Sequence, residues 1–586
     1  MQEEKNTDVG KLEGTGRFAM FFRTLTDRRA ALLAALLAVL PFLPTLGYGF
    51  LVEWDDGGFV TGNPHIALTR ENLVHNLTTN LQGVYTPLTT LWLMVDNALF
   101  RGNPIGFHLV NLLLYAGIAG LFFLILRRLR LPSAAALILT LLWAWNPCKI
   151  ETVAWIAERK GLASTFCAFW AMLLFMRGCR RNRVSYAAAL LAFIAVFFKP
   201  WVLPLPGVMI LYAWMLFPRD FRKILRLTGF PVLAGIAGAA AVYAMTFHEL
   251  SGTRGITPAD LAGFLRYTGA AFVPLSLNPL YPVAGFSGML PELILGGVVL
   301  AALWTAGFAA FGRKYGLRLS LAFSAALAGV ALPVLSSGNF TNTNYADRYG
   351  FLISAVLWSW AGVAGMRLFR RFPSASVPAA IVLAAGYLLA GAVYSETFSD
   401  TTLLFARAVA EEECPAKAID GLALSGLNRD RPELVELGGA LFLERAPRQT
   451  GPKRGNYETT GTLLVLLAPA MRETPGAKEK LGALLERIDS GRVYSPSAFL
   501  ARAYALAVDA RAMRGDRDGA VRLLKRQLDQ KAGEAYSLAF ASGLYGYLTG
   551  NKEMAVAGWK QALLAKPGDE RAQRNLLAAE AMHGLE

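Results

Sequence analysis

Two adjacent carboxylates, Asp55 and Asp56, stand in the stretch Glu53-Trp54-Asp55-Asp56-Gly57-Gly58-Phe59-Val60, directly after a long apolar run. Such a pair could take a proton from a hydroxyl nucleophile, and the glycines that follow leave the backbone open to a ligand. Trp54 suits a membrane–water boundary, and ionisable groups just outside hydrocarbon are candidate functional groups by position alone. The competing structural role is an aspartate that caps a helix start. Further along, cations recur beside aromatic residues: Arg159 and Lys160 after Trp155 and Glu158, Lys199 before Trp201, and Arg348 between Asp347 and Tyr349. Guanidinium and ammonium groups hold phosphate by charge-assisted hydrogen bonds, so these residues are candidate anion ligands. Snorkelling at helix ends is the structural alternative for any one of them.

The composition shows what must position these groups. The chain has 586 residues, 54% of them hydrophobic and 17% charged, with a mean hydropathy of +0.39. That is too apolar for a soluble protein and predicts an all-α polytopic membrane protein. Residues 1–29 read as a cytoplasmic tail, followed by about eleven spans near 30–50, 106–126, 133–147, 161–176, 184–199, 202–217, 229–247, 288–311, 319–335, 349–366 and 377–394. The net charge of +16 does not point to nucleic acid, because Lys and Arg fall in short clusters between apolar runs. With the N-terminus inside, the connectors Arg127 to Arg130, Arg177 to Arg183, Arg219 to Arg226, Arg313 to Arg318 and Arg367 to Arg371 all face the cytoplasm and all are basic. The opposite connectors gather the 53–56 cluster, Lys149-Ile150-Glu151, Glu158-Arg159-Lys160, Lys199-Pro200-Trp201, Arg266-Tyr267 and Asp347-Arg348-Tyr349. Two of these outer loops are long, 51–105 and 248–287. The run 146–160 has the apolar spacing of a helix lying on or entering the membrane. Proline-broken 248–287 fits a re-entrant or interfacial segment over a cavity.

After Tyr394 the composition turns charged and alanine-rich, which predicts a soluble helical domain over 395–586 on the outer side. Gly543, Gly550, Ala555, Trp559, Ala562 and Pro567 occupy the small, aromatic and proline positions of a tetratricopeptide unit, with Gly515, Ala520 and Leu524 about one repeat earlier. Stacked units of this kind form a concave binding surface. The four cysteines contain no CxxC pair and the five histidines no HxxxH spacing, so neither a zinc site nor a disulfide framework is signalled.

The ordered set Trp54-Asp55-Asp56, Phe59-Val60, Asn63-Pro64-His65-Ile66, His108 to Leu114, Glu151 to Lys160, Lys199-Pro200 and Ala346 to Tyr349 resembles the transmembrane and tetratricopeptide-repeat glycosyltransferases, whose eukaryotic members are protein O-mannosyltransferases. Lys149 stands where that family more often has histidine. The resemblance implies a GT-C fold whose site takes a sugar from a polyprenyl-phosphate donor at the non-cytoplasmic face. The acceptor implied is a protein or glycan hydroxyl, with recruitment by the repeat domain. It assigns Asp56 as the catalytic base with Asp55 as positioning partner, and brings Glu53, Trp54 and His65 into the substrate-binding set. The setting expected is a bacterial inner membrane, with the site and the C-terminal domain on the periplasmic side.

The chemistry can also be built from the residues. A sugar on lipid phosphate carries an anionic leaving group, so transfer needs cations for the developing phosphate charge and one carboxylate for the acceptor proton. Asp55 or Asp56 is the base; Arg159, Lys160, Lys199 and Arg348 are phosphate ligands; Glu158, Asp347 and Tyr349 orient them or bind sugar hydroxyls. One base with direct displacement inverts the anomeric centre. No cofactor is implied, and no ligand cluster requires a metal. A lipid-linked sugar flippase would call for polar residues within spans and duplicated halves, and a non-catalytic repeat scaffold would leave the outer motifs idle.

Overall fold

The computed structural model describes residues 26–582 apart from 84, 247–257, 282–289, 336–344, 372, 412 and 495. The first 25 residues, and 248–257 and 282–287 of the second outer loop, therefore lie outside the described part. Helices and turns make up the described chain, with no β-strand among them. It divides into two compact units, residues 1–413 and 414–586.

Among the described residues, seven helices of the first unit are long and apolar enough to cross a membrane, or eight if the pair Ser133–Trp145 and Pro147–Ala154, bent by 64°, is one span. Tyr186–Phe198 and Pro200–Leu216 are apolar but shorter. The helix Leu290–Leu335 is broken at Gly312, whose φ of 70° is open to glycine and costly for other residues. Its two halves match the expected spans on either side of the Arg313–Arg318 connector. About eleven apolar segments were expected, and each of them is helical; fewer are long enough to cross alone.

Three of the basic connectors meet at one end of this bundle. Arg127 pairs with Asp27 at 2.8 Å, Arg180 donates to the Arg128 carbonyl, and Arg226 donates to Asn182 at 2.6 Å. The helix Arg159–Arg181 runs from Lys160 at its start to the Arg180–Arg181 end, so the candidate phosphate ligands lie at the opposite end from the connectors. Between 146 and 160 there is no continuous helix. Pro147–Lys149, Ile150–Ala154 and Ile156–Glu158 are three short helical pieces, broken by an extended Trp155.

The second unit is a row of helices, each packed on its neighbours in sequence. Small residues set the spacing in Ala535–Thr549 and Lys552–Ala565. A Cβ on Gly558 would fall 2.2 Å from the Gly543 nitrogen, and one on Gly543 would strike the Trp559 ring. Trp559, Ala555 and Ala562 pack with Ala572 and Ala579 of the last helix to form its core. This is the helix-pair packing of a solenoid.

Candidate active site

The two aspartates follow the first apolar helix in a turn that enters the short helical coil Gly57–Thr61. The turn needs glycine: a Cβ at position 57 would lie 2.1 Å from the Val52 carbonyl oxygen. Its geometry gives the adjacent carboxylates different surroundings. Asp56 is fully buried, with one oxygen accepting from the Leu51 amide at 2.9 Å and the other from the Ala157 amide at 2.8 Å. It staples its own turn to the segment that leads into Glu158. The Asp55 side chain is 31% exposed and faces Lys160 Nζ at 3.7 Å. A general base must first be reachable by the proton it removes. Of the two alternatives, Asp55 meets that condition; both oxygens of Asp56, the base assigned through the family pattern, are occupied.

Burial pushes the Asp56 carboxyl up from 3.8 to about 7, against the pull of the Leu51 and Ala157 amides and of Lys160. Between those values the folded chain keeps a proton that the unfolded chain has released. The Asp56 contribution to stability therefore falls as pH rises from about 4 to about 7 and is level above that. The melting temperature of the wild type, measured relative to Asp56→Asn, is expected to drop across this window. A difference that does not change with pH would assign the proton elsewhere.

Lys160, Lys199 and Arg348 form one group. The Glu158 carboxylate binds Lys199 Nζ through one oxygen and lies 4.0 Å from Lys160 Nζ through the other. Glycine at 161 lets Glu158 fold back over the helix start, since a Cβ there would sit 2.3 Å from Glu158 Oε1. Arg348 pairs with Glu151, which also accepts the Arg348 backbone amide at 2.8 Å. The Trp155 ring lies 4.9 Å from Lys160 Nζ and 5.2 Å from the Arg348 guanidinium, and Tyr349 lies 4.6 Å from Arg348 and 5.6 Å from Lys199 Nζ. Lys199 is close enough to Lys160 and Arg348 for the three charges to act on one another. Asp55, Glu158 and Glu151 balance them. Trp155 and Glu151 are central here, yet sequence reasoning did not put them in the binding set. Both stand in the family-like stretch Glu151 to Lys160, and Glu151 among the outer charges, but neither was given a role there.

Arg159 is not part of this group. It is fully buried, paired with Asp96, bonded to Asn111 and donating to the Phe107 carbonyl at 2.8 Å. Arg159→Met leaves Asp96 buried without its cation and is expected to cost about 3–5 kcal/mol of stability. Donor binding by the fraction that folds should be unchanged, as a binding titration on the detergent-purified protein would show.

Asp347 is buried and accepts from Tyr281 at 2.8 Å and Tyr394 at 3.4 Å, so it anchors the turn Asp347–Tyr349 that presents Arg348. Glu53 and Trp54 are half-buried beside Asp55, with Trp54 5.7 Å from Trp155 and 5.7 Å from Phe405. His65 packs within its own loop, bonded to Asn72 at 3.0 Å and stacked on His75 at 3.7 Å. No described contact joins it to the cations. Among the described residues no group of three or more His, Cys, Asp or Glu side chains is arranged to hold a metal ion.

An apolar cavity of about 950 Å³, counting the open space at its mouth, adjoins this cluster through Trp201, and none of the three cations lines it. Trp201, 3.8 Å below Lys199 Nζ, is part of its wall, as are Leu352 and Ala355 on the helix that follows Arg348. Phe122, Met172, Tyr212 and Phe323 continue it, and Leu129, Met176 and Met215 carry it toward the basic end of the bundle.

Curated relatives of the chain are protein O-mannosyltransferases. The chain is 36% identical over 115 residues to human protein O-mannosyl-transferase TMTC4, an alignment covering 17% of this chain and 15% of that protein. It is 30% identical over 165 residues to Drosophila melanogaster Tmtc1, covering 26% and 19%, and 31% identical over 170 residues to Xenopus laevis tmtc2, covering 27% and 20%. The chain thus spans between 15% and 20% of the length of these three relatives. No family model matches, and no solved structure matches.

Proposed function

We propose that this integral membrane protein is a GT-C-type glycosyltransferase that moves a mannosyl or related hexosyl group from polyprenyl phosphate to a protein Ser or Thr hydroxyl. The observation that carries this reading is the join at Trp201. There the ring beneath Lys199, one of three grouped cations, is also part of the wall of an apolar cavity, which fits one molecule with a phosphate head and an isoprenoid tail. Asp55 Oδ takes the acceptor proton as the acceptor oxygen bonds to the anomeric carbon. The carbon–oxygen bond to phosphate breaks with its electron pair going to the phosphate oxygen, and polyprenyl phosphate departs. Lys160, Lys199 and Arg348 stabilise that charge where it develops. Direct displacement inverts the anomeric centre. The relatives' name supports mannose and a protein acceptor.

Full-length protein in lipid nanodiscs, given polyprenyl-phosphate mannose and a Ser/Thr-rich peptide, should yield a glycosylated peptide by intact mass. Movement of donor between leaflets without any transfer would favour the flippase class and overturn the reading. Lys199→Ala and Arg348→Ala should each weaken donor binding by about 2–5 kcal/mol, the usual loss for one partner of a desolvated charge contact. Unchanged donor affinity in both would return these cations to structural pairing. The basic connectors orient the bundle with the site on the periplasmic side. Labelling of single cysteines in the loop 51–105 from outside sealed cells checks that orientation, and labelling only after permeabilisation would reverse it.

A further inference from the structure

The composition change after Tyr394 assigns residues 395–413 to the soluble domain, yet this segment packs around the candidate site within the first unit. The Tyr394 hydroxyl donates to Asp347 at 3.4 Å, beside Arg348. Ser395 shares a hydrogen bond of 2.8 Å with the Tyr48 hydroxyl, and the Ser399 carbonyl accepts the Gly49 amide at 3.3 Å. Asp400 then caps the helix Thr401–Val409 by accepting the Thr402 amide, which turns its apolar face inward. On that face Phe405 is 1% exposed, with its ring 5.7 Å from Trp54. Arg407 reaches the Leu277 carbonyl at 3.4 Å. One short piece of chain thus touches the turn holding Asp55, the turn holding Arg348 and the 272–281 loop.

We propose that residues 394–409 are a strap that sets the spacing between the acceptor and donor sides of the site. Phe405 is the positioning residue for Trp54 and the adjacent Asp55, and Tyr394 is the positioning residue for the Asp347–Tyr349 turn and Arg348. Both act through neighbours; neither touches the reacting atoms. The helix start is capped and the ring is buried, so the contact is held in place and is sensitive to the loss of one side chain. This inference rests on the transferase reading for its kinetic consequence, and on packing alone for its structural one.

The two consequences are tested separately on full-length protein in nanodiscs. Phe405→Ala should raise the KM for acceptor peptide about tenfold and lower kcat by about ten- to a hundredfold, the effect of a small misplacement of a reacting group. The donor KM should not move. Tyr394→Phe should do the reverse, raising the donor KM several-fold with the acceptor KM unchanged. Phe405→Met, which keeps a large apolar side chain against Trp54, should recover most of the wild-type kinetics, and Phe405→Leu serves where the alanine variant folds poorly. Independently of activity, hydrogen exchange of the 49–58 backbone should speed up in Phe405→Ala and Phe405→Leu, with exchange in the spanning helices unchanged. If the wild type transfers no sugar, the functional reading fails while the exchange result still decides the strap. Unaltered exchange over 49–58, or an equal shift in both KM values in an active enzyme, would overturn the strap.

Discussion

Asp55→Asn is expected to abolish transfer, lowering kcat by about a hundredfold to ten-thousandfold, the usual contribution of a positioned general base. Asparagine keeps the size of the side chain and can still accept a hydrogen bond, but it cannot hold the acceptor proton at neutral pH. Asp55 makes one contact of 3.7 Å with Lys160 and is partly open, so folding and donor binding should survive. The loss should appear in kcat with the donor KM near wild type. Asp56→Asn should behave differently. An amide there turns an NH2 group toward the Leu51 or Ala157 amide that Asp56 now accepts, leaving a buried donor unsatisfied at about 1–3 kcal/mol. Its signature is lost stability with partial activity in the folded fraction. Near-normal kcat in Asp55→Asn, together with a stable but inactive Asp56→Asn, would exchange the two roles.

The second large effect is expected at Glu158. Its carboxylate is the shared anion of Lys160 and Lys199, and it is fully buried. Glu158→Gln keeps the shape and removes the charge, leaving two neighbouring cations without their common partner. Loss of one partner from a buried ionic group typically costs about 3–5 kcal/mol. In the proposed reaction the donor phosphate would supply negative charge at the same place. Polyprenyl phosphate should therefore raise the melting temperature of Glu158→Gln by more than it raises that of the wild type. An equal or smaller shift would mean that the lipid phosphate does not sit against Lys160 and Lys199, and the donor site would have to be sought elsewhere.

Some of this architecture is written locally. A run of apolar residues long enough to bury a helix in hydrocarbon is a one-dimensional property, as is a cluster of Arg and Lys between two such runs. The apolar segments, the division between spans 288–311 and 319–335 at a basic connector and the small and aromatic positions of the repeat unit around Trp559 could therefore be read before any contact was known. The gathering of Lys160, Lys199 and Arg348 at one end was legible for the same reason, since each follows or precedes a span on the same side.

What only the tertiary structure decided is which neighbour in each charged pair faces the site. Arg159 and Lys160 are consecutive on a helix, where successive side chains point about 100° apart, so one enters the core and the other the cluster. The choice is made by Asp96, 63 positions away in the chain. Asp55 and Asp56 are separated in the same manner by the Ala157 amide, 101 positions from Asp56. No local pattern announces a partner at that distance. Trp155 reaches two cations because the chain is extended at that residue, a break that the apolar spacing of 146–160 concealed. The change in composition after Tyr394 likewise reported how polar the chain becomes. Burial of Leu404, Phe405 and Ala408 is what keeps the helix Thr401–Val409 in the first unit, because an apolar face packs wherever the fold offers one.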